Sequence, residues 1–196
     1  VFFCGSYGDP IMHPNFLEIL QDFRSKNPKL WLYIHTNGGV HDIDYWQELA
    51  NILDGYGQID FGIDGLEDTL HIYRKNVNWS RLMSNVETFI ESGGNAQWDM
   101  LVFKHNEHQV EQAKQLSQAM GFVDFIVVES PRTNGPVFNN NFELEYVLGT
   151  TTEINAGQIL ARRIENPLDV NNVNYTITNK ISCEAKNDKS LYRSEE

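Results

Sequence analysis

Val1-Phe2-Phe3-Cys4-Gly5-Ser6-Tyr7-Gly8-Asp9-Pro10 sets the pattern of the chain. A short apolar run is followed by a glycine-bearing turn. Then, over residues 15–26, Phe16, Ile19, Leu20 and Phe23 fall at helical spacing. The unit recurs. Residues 30–35 (Leu-Trp-Leu-Tyr-Ile-His) read as a strand, and 42–53 as a helix with Ile43, Trp46, Leu49, Ala50 and Leu53 on one stripe. Residues 58–63 form the next strand, followed by helical stretches at 66–74 and 79–92, the latter carrying Leu82, Val86, Phe89 and Ile90. Residues 96–103 are a strand, 107–120 a helix with Val110, Ala113, Leu116 and Met120, and 122–128 a strand.

Strand starts near 1, 30, 58, 96 and 122 give a repeat of roughly 30 residues, close to one βα unit of a (β/α) barrel. Strands alternating with amphipathic helices predict a parallel sheet with outer helices, an α/β fold of partial TIM-barrel type. The strands read as apolar nearly throughout, as in sheets buried on both faces. Ser92-Gly93-Gly94 is a helix stop, and Asn106 before Glu107 reads as an N-cap. After Ser130 the pattern breaks. Residues 131–141 are rich in Pro, Asn and Gly and read as a loop, 142–149 fit a short strand or helix, and the Asn-rich 166–180 is left without assigned structure.

Composition narrows the function. Net charge of −12 and the absence of any basic run argue against a nucleic-acid partner. The longest apolar runs, such as 122–128, are too short to span a bilayer, and no secretory signal opens the chain. Two distant cysteines, Cys4 and Cys183, make no disulfide framework. The chain therefore reads as cytoplasmic, with Cys4 a core residue of the first strand. It begins on Val1, in what looks like the middle of a strand, and stops on Glu196 without a closing element, so both ends read as cuts.

Parallel α/β folds bind ligands where the βα loops cluster, beyond the strand C-termini. There this chain carries Gly5 to Pro10, then Thr36-Asn37-Gly38-Gly39, Asp64-Gly65, Lys104-His105-Asn106, and finally Glu129 and Arg132. Gly5 and Gly8 permit close backbone approach. Asp9 is held extended by Pro10, so its carboxylate projects in a fixed direction and suits a ligand ammonium group. A plain Gly-Asp-Pro turn explains the same residues.

The run from Phe3 to Pro10, followed by His13-Pro14 and an amphipathic helix, resembles the second βα unit of radical S-adenosylmethionine (SAM) enzymes. In that family a Gly-Gly-Glu-Pro loop holds the amino group of SAM. Tyr7-Gly8-Asp9-Pro10 stands in its place, with Asp9 for the usual Glu. His35-Thr36-Asn37-Gly38 resembles the Thr-Asn-Gly ending of the family's third strand. Phe61-Gly62-Ile63-Asp64-Gly65 resembles the Ser-Leu-Asp-Gly ending of its fourth, with Gly62 for the Ser. The resemblance covers residues 1–130 and implies a radical SAM core barrel. In such a core a [4Fe–4S] cluster donates an electron to SAM, giving methionine and a 5′-deoxyadenosyl radical that abstracts hydrogen from a substrate. It further implies Gly8, Asp9 and Pro10 at the SAM amino group, Asp64 near the ribose and Arg74 at the carboxylate, with Thr36, Asn37 and Lys104 on the same rim. The substrate would be a small molecule or a peptide, and the reductant a protein such as flavodoxin or ferredoxin.

Neither cysteine belongs to a three-cysteine motif, so that motif is expected upstream, by roughly one βα unit of 30 residues. Ile181-Ser182-Cys183 followed by Ser190-Leu191-Tyr192 resembles the start of a twitch or SPASM-type extension, which implies Cys183 as a ligand of an auxiliary iron–sulfur cluster. The implied organisation is a core over 1–130, an irregular connection over 131–180 and the beginning of an extension over 181–196. His105 and His108 read as an exposed pair at a helix start. Trp46, Trp79 and Phe89 read as core, and Glu87 and Glu91 as helix surface. Two rival classes remain: a metal-dependent barrel lyase or aldolase, and a degenerate barrel that only binds a partner.

Overall fold

The computed structural model describes the backbone of residues 1–5, 8–129, 135–138 and 142–149, all within one compact unit, Val1–Ile164. Cys183 and the expected boundaries beyond residue 149 lie outside the described residues.

Five strands, β1 (Phe2–Phe3), β2 (Leu32–Thr36), β3 (Gly57–Gly62), β4 (Ala96–Val102) and β5 (Asp124–Glu129), form one sheet in sequential order. Every pairing is parallel. Between them run α1 (Phe16–Lys26), α2 (Ile43–Leu53), the short α3 (Leu70–Tyr73), α4 (Trp79–Glu91) and α5 (Val110–Met120). Sequential order with right-handed crossovers sends every helix to the same face. This is the arc of a (β/α) barrel, without the order reversal of a doubly wound sheet.

The two sheet faces differ, which corrects the expectation of strands buried on both. Leu32, Ile34, Ile59, Phe61, Ala96, Trp98 and Met100 are buried in the core that the helices share. The residues between them are Tyr33 and His35, Gln58 and Asp60, and Gln97 and Asp99. These line the inner face of the arc, and the strands alternate with period two.

The helices end where local chemistry stops them. Asp42 and Asn78 cap α2 and α4, accepting from Tyr45 N–H and Arg81 N–H. After α4, Gly93 takes φ 86°. Its N–H bonds Ile90 O at 2.9 Å, while Gly94 N–H bonds Phe89 O at 3.0 Å, the paired closure that a left-handed glycine permits. Arg24 at the end of α1 spreads its guanidinium over five carbonyls, those of Pro28, Leu30, Ile52, Leu53 and Tyr56, at 2.6–3.1 Å. That fork of donors ties the last turn of α2 to the entry of β2.

Other departures have local causes. β1 stops at Phe3, so Cys4 is an exposed rim residue and not part of the core. Ile43 opens α2 but is half exposed. The helix expected over 66–74 reduces to α3, because Leu66 N–H is drawn to the Gln109 side chain at 3.0 Å, and Thr69 also bonds Gln109. The helix expected from 107 begins as a 3-10 turn, Glu107–Gln109. Asn106 makes no cap bond there. It is buried; its Oδ1 accepts from Phe103 N–H at 2.7 Å, and its Nδ2 donates to Asp64 O and Leu101 O, both at 2.9 Å. Within the expected loop 131–141, Gly135–Phe138 is a strand, β6, pairing antiparallel with β7 (Leu144–Leu148).

Candidate functional site

The rim beyond β1 and β2 is organised by Asp9. Its backbone is extended (φ −79°, ψ 124°) before Pro10, which starts a 3-10 turn, and its Oδ1 accepts from Ile11 N–H at 3.3 Å. Oδ2 accepts from the Thr36 hydroxyl and from Asn37 N–H, each at 2.8 Å. One carboxylate therefore joins two successive βα loops. The second loop is fixed from within: Gly38 N–H donates to Thr36 Oγ1 and Gly39 N–H to Asn37 Oδ1. Asn85, buried on α4, donates to Gly38 O and Val40 O. Asn85 carried no sequence signal, being one polar residue on a helix. Beside Asp9, Gly8 has φ 147° and faces open space: a Cβ there would meet nothing within 4 Å.

Farther along the rim, Asp64 and Arg74 are partners. Arg74 Nε donates to Asp64 Oδ2 at 2.5 Å, and Leu101 N–H donates to Oδ1 at 2.7 Å. Asp64 is fully buried. Burial raises its pKa, against the opposing charge and hydrogen bonds of Arg74 and Leu101. The Arg74 side chain is 29% exposed. A Cβ on Gly62 would lie 2.6 Å from Arg74 Nη2, so the missing side chain at 62 is the space that the guanidinium fills. Lys104 is exposed, and its backbone N–H bonds Gly149 O. Of the expected rim residues, Asp9, Pro10, Thr36 and Asn37 are brought together, and Asp64 with Arg74. Lys104 joins neither set through a side-chain bond among the described residues.

A third cluster lies lower, on the inner face. His35 Nε2 sits 3.1 Å from Asp99 Oδ2 and 3.6 Å from Asp60 Oδ2. Asp60 also accepts from the Tyr33 hydroxyl and, at Oδ1, from Gln58 at 3.0 Å; Asp99 Oδ1 accepts from Gln97 at 2.8 Å. The hydrogen bond to Asp99 raises the His35 pKa, against burial. Burial, then the charge of Asp99, pushes Asp60 up to about 6. Sequence reading missed Asp60 and Asp99. The signal was the alternation Gln58-Ile59-Asp60-Phe61 and Gln97-Trp98-Asp99-Met100. His105, expected to be exposed, is half-buried and stacks on Phe103 with centroids 5.4 Å apart.

A family model described as the radical SAM superfamily matches residues 1–117, more than half of the chain. The chain belongs to this superfamily. Solved structures share its partial barrel. SuiB of Streptococcus suis aligns with TM-score 0.54 at 13% identity, over 80% of this chain and 33% of that one. SuiB bound to S-adenosylmethionine gives 0.53 at 16%, over 71% and 31%. The structure of anSMEcpe with bound AdoMet and Cp18Cys peptide gives 0.54 at 18%, over 74% and 40%. The chain thus spans 31% to 40% of the lengths of these proteins. No curated protein matches it. Among the described residues no helix is long and apolar enough to cross a membrane.

Proposed function

We propose that this chain supplies the SAM-holding rim of a radical SAM enzyme, in which reductive cleavage of SAM provides the radical that takes hydrogen from a substrate. The observation that carries the reading is the Asp9 hub. A carboxylate offers about four acceptor sites, and Asp9 uses three of them within the protein. It is thereby fixed in direction with capacity left for a ligand ammonium, next to the open space over Gly8. In this reading Pro10 holds Asp9 extended, and Thr36 and Asn37 aim its carboxylate. Arg74, partly exposed, offers its remaining donors to the SAM carboxylate. Asp64 anchors Arg74 from behind, on the part of the rim where the ribose lies in this reading. Lys104 stands farther along the rim for SAM or substrate.

The [4Fe–4S] cluster that cleaves SAM needs several thiolates, and the two cysteines here, Cys4 and Cys183, do not make its three-cysteine motif; in this reading its ligands are other residues, and Cys183 is a candidate ligand of an auxiliary iron–sulfur cluster. The peptide in the anSMEcpe complex makes a peptide one candidate substrate class and a small molecule the other, with a flavodoxin- or ferredoxin-type protein as reductant.

The test is SAM binding, by calorimetry, to the protein that carries this chain together with its cluster. Asp9→Ala is expected to weaken binding about 10- to 100-fold, the loss of a charge-assisted contact, while circular dichroism stays unchanged. Affinity equal to the parent's would remove Asp9 from the site.

A further inference from the structure

We propose that His35, Asp60 and Asp99 form a binding site for a divalent first-row transition metal of the Zn²⁺ type on the inner face of the sheet. The site adjoins the SAM-holding rim, since Asp99 is in register with Gly62 beside Arg74, but it shares no residue with that rim and does not depend on that reading. Each residue comes from a different, adjacent strand: His35 on β2 is in register with Asp60 on β3, and Gly62 with Asp99 on β4. Asp60 lies opposite His35, and Asp99 lies two positions beyond Gln97, the partner of Asp60, so the two β-ladders bring one imidazole and two carboxylates together.

Geometry supports the assignment. Metal–ligand bonds of 2.0–2.2 Å in a tetrahedron give donor–donor edges of roughly 3.3–3.6 Å. The two edges from His35 Nε2 are 3.1 and 3.6 Å, and the donor atoms all lie within 4.8 Å of one another. Both carboxylates turn Oδ2 toward the imidazole nitrogen, Asp60 Oδ2 also accepting from the Tyr33 hydroxyl, while a glutamine amide holds each Oδ1, Gln58 on Asp60 and Gln97 on Asp99. Gln58 also donates to Gln97 Oε1 at 3.1 Å, which links the two supports. Fixed outer partners of this kind orient metal ligands.

Charge points the same way. Asp60 is almost fully buried, yet among the described residues the one side-chain cation within ion-pair distance of Asp60 or Asp99 is His35; Arg74 is engaged by Asp64. A divalent ion would balance both carboxylates and leave the imidazole neutral, the form that binds metal. The His35 side chain is 41% exposed, so solvent reaches this cluster and could supply a fourth ligand. Three protein ligands and an open position are the pattern of sites that hold a water or a substrate atom, and a nitrogen–oxygen donor set suits Zn²⁺ or its neighbours better than Mg²⁺.

Co²⁺ titration of the metal-free 196-residue chain tests this. One equivalent should bind with the visible bands of tetrahedral cobalt, and Zn²⁺ should displace it. His35→Gln and Asp99→Asn should each abolish those bands while far-ultraviolet circular dichroism is retained. Gln97→Ala, which touches no metal, should weaken binding roughly 10-fold. Absence of saturable uptake by the parent chain overturns the proposal, as does uptake that survives both His35→Gln and Asp99→Asn. If only one of these variants folds, the folded one decides.

Discussion

The two faces of one sheet are built from neighbouring residues and obey different rules. On β4, Trp98 is fully buried against the helices, its indole N–H donating to Ile63 O at 2.8 Å, while Gln97 and Asp99 on either side meet the glutamine–aspartate–histidine network. The helix face is dry and aromatic. Trp46, Phe61 and Phe89 meet there at centroid distances of 5.4–6.3 Å. Its free energy comes from burial and close packing. The inner face is polar, and its side chains answer to one another's charge. Stability therefore resides on one face, and the capacity for chemistry on the other.

The sharpest contrast is expected at Trp98. Trp98→Ala should cost about 3–5 kcal/mol, the loss of a buried aromatic plus the cavity it leaves, read by urea denaturation. A cost under about 1 kcal/mol would mean that the helix face is not the main support of the fold.

The second expectation concerns pH, in the metal-free chain. Asp60 is raised from an ordinary 3.8 to about 6. Its charged form is penalised in the fold, so stability falls as pH rises from about 4 to about 6. His35 is also raised, so its contribution is full below the ordinary 6.5 and is lost as pH climbs through the folded value. Both effects have the same sign: the chain loses on the order of 3 kcal/mol through Asp60 as pH rises from about 4 to about 6, and the His35 contribution goes in the same direction above 6.5. A double variant Asp60→Asn, His35→Gln should flatten that slope, whereas Trp98→Ala should leave it intact. Equal slopes in all three proteins would break the division between faces.

The smallest effect is expected where the faces meet at the rim. Gly38 has φ 69°, and a Cβ there would lie 2.7 Å from Leu82 Cδ1 and 2.8 Å from Phe61 Cδ1. Gly38→Ala should cost about 1–3 kcal/mol from the backbone and the displaced side chains. A neutral result in thermal denaturation would show that the turn after β2 relaxes freely.

Much of the architecture was legible in the sequence because helical spacing is local. Trp46, Leu49, Ala50 and Leu53, or Leu82, Val86 and Phe89, announce their faces within two or three turns. Asp9 was legible for the same reason, since Pro10 restricts it directly. The inner-face cluster was not. His35 and Asp99 stand 64 residues apart, and only strand register makes them neighbours. Within each strand the apolar residues were bulky enough to mask the polar ones between them. Asn106 was misread because its position suits a cap, whereas its amide is claimed by Asp64 and Leu101, carbonyls outside its own turn.

The vacancy at Gly62 has a consequence for how this chain can change. Arg74 and position 62 draw on the same volume, and Arg74 is the charge that Asp64 relies on in a fully buried place. The three positions are therefore epistatic. A larger residue at 62 displaces the guanidinium from its place beside Asp64, and loss of Arg74 removes the ion-pair partner of a fully buried acid. A substitution at one of the three positions therefore changes what the other two can accept.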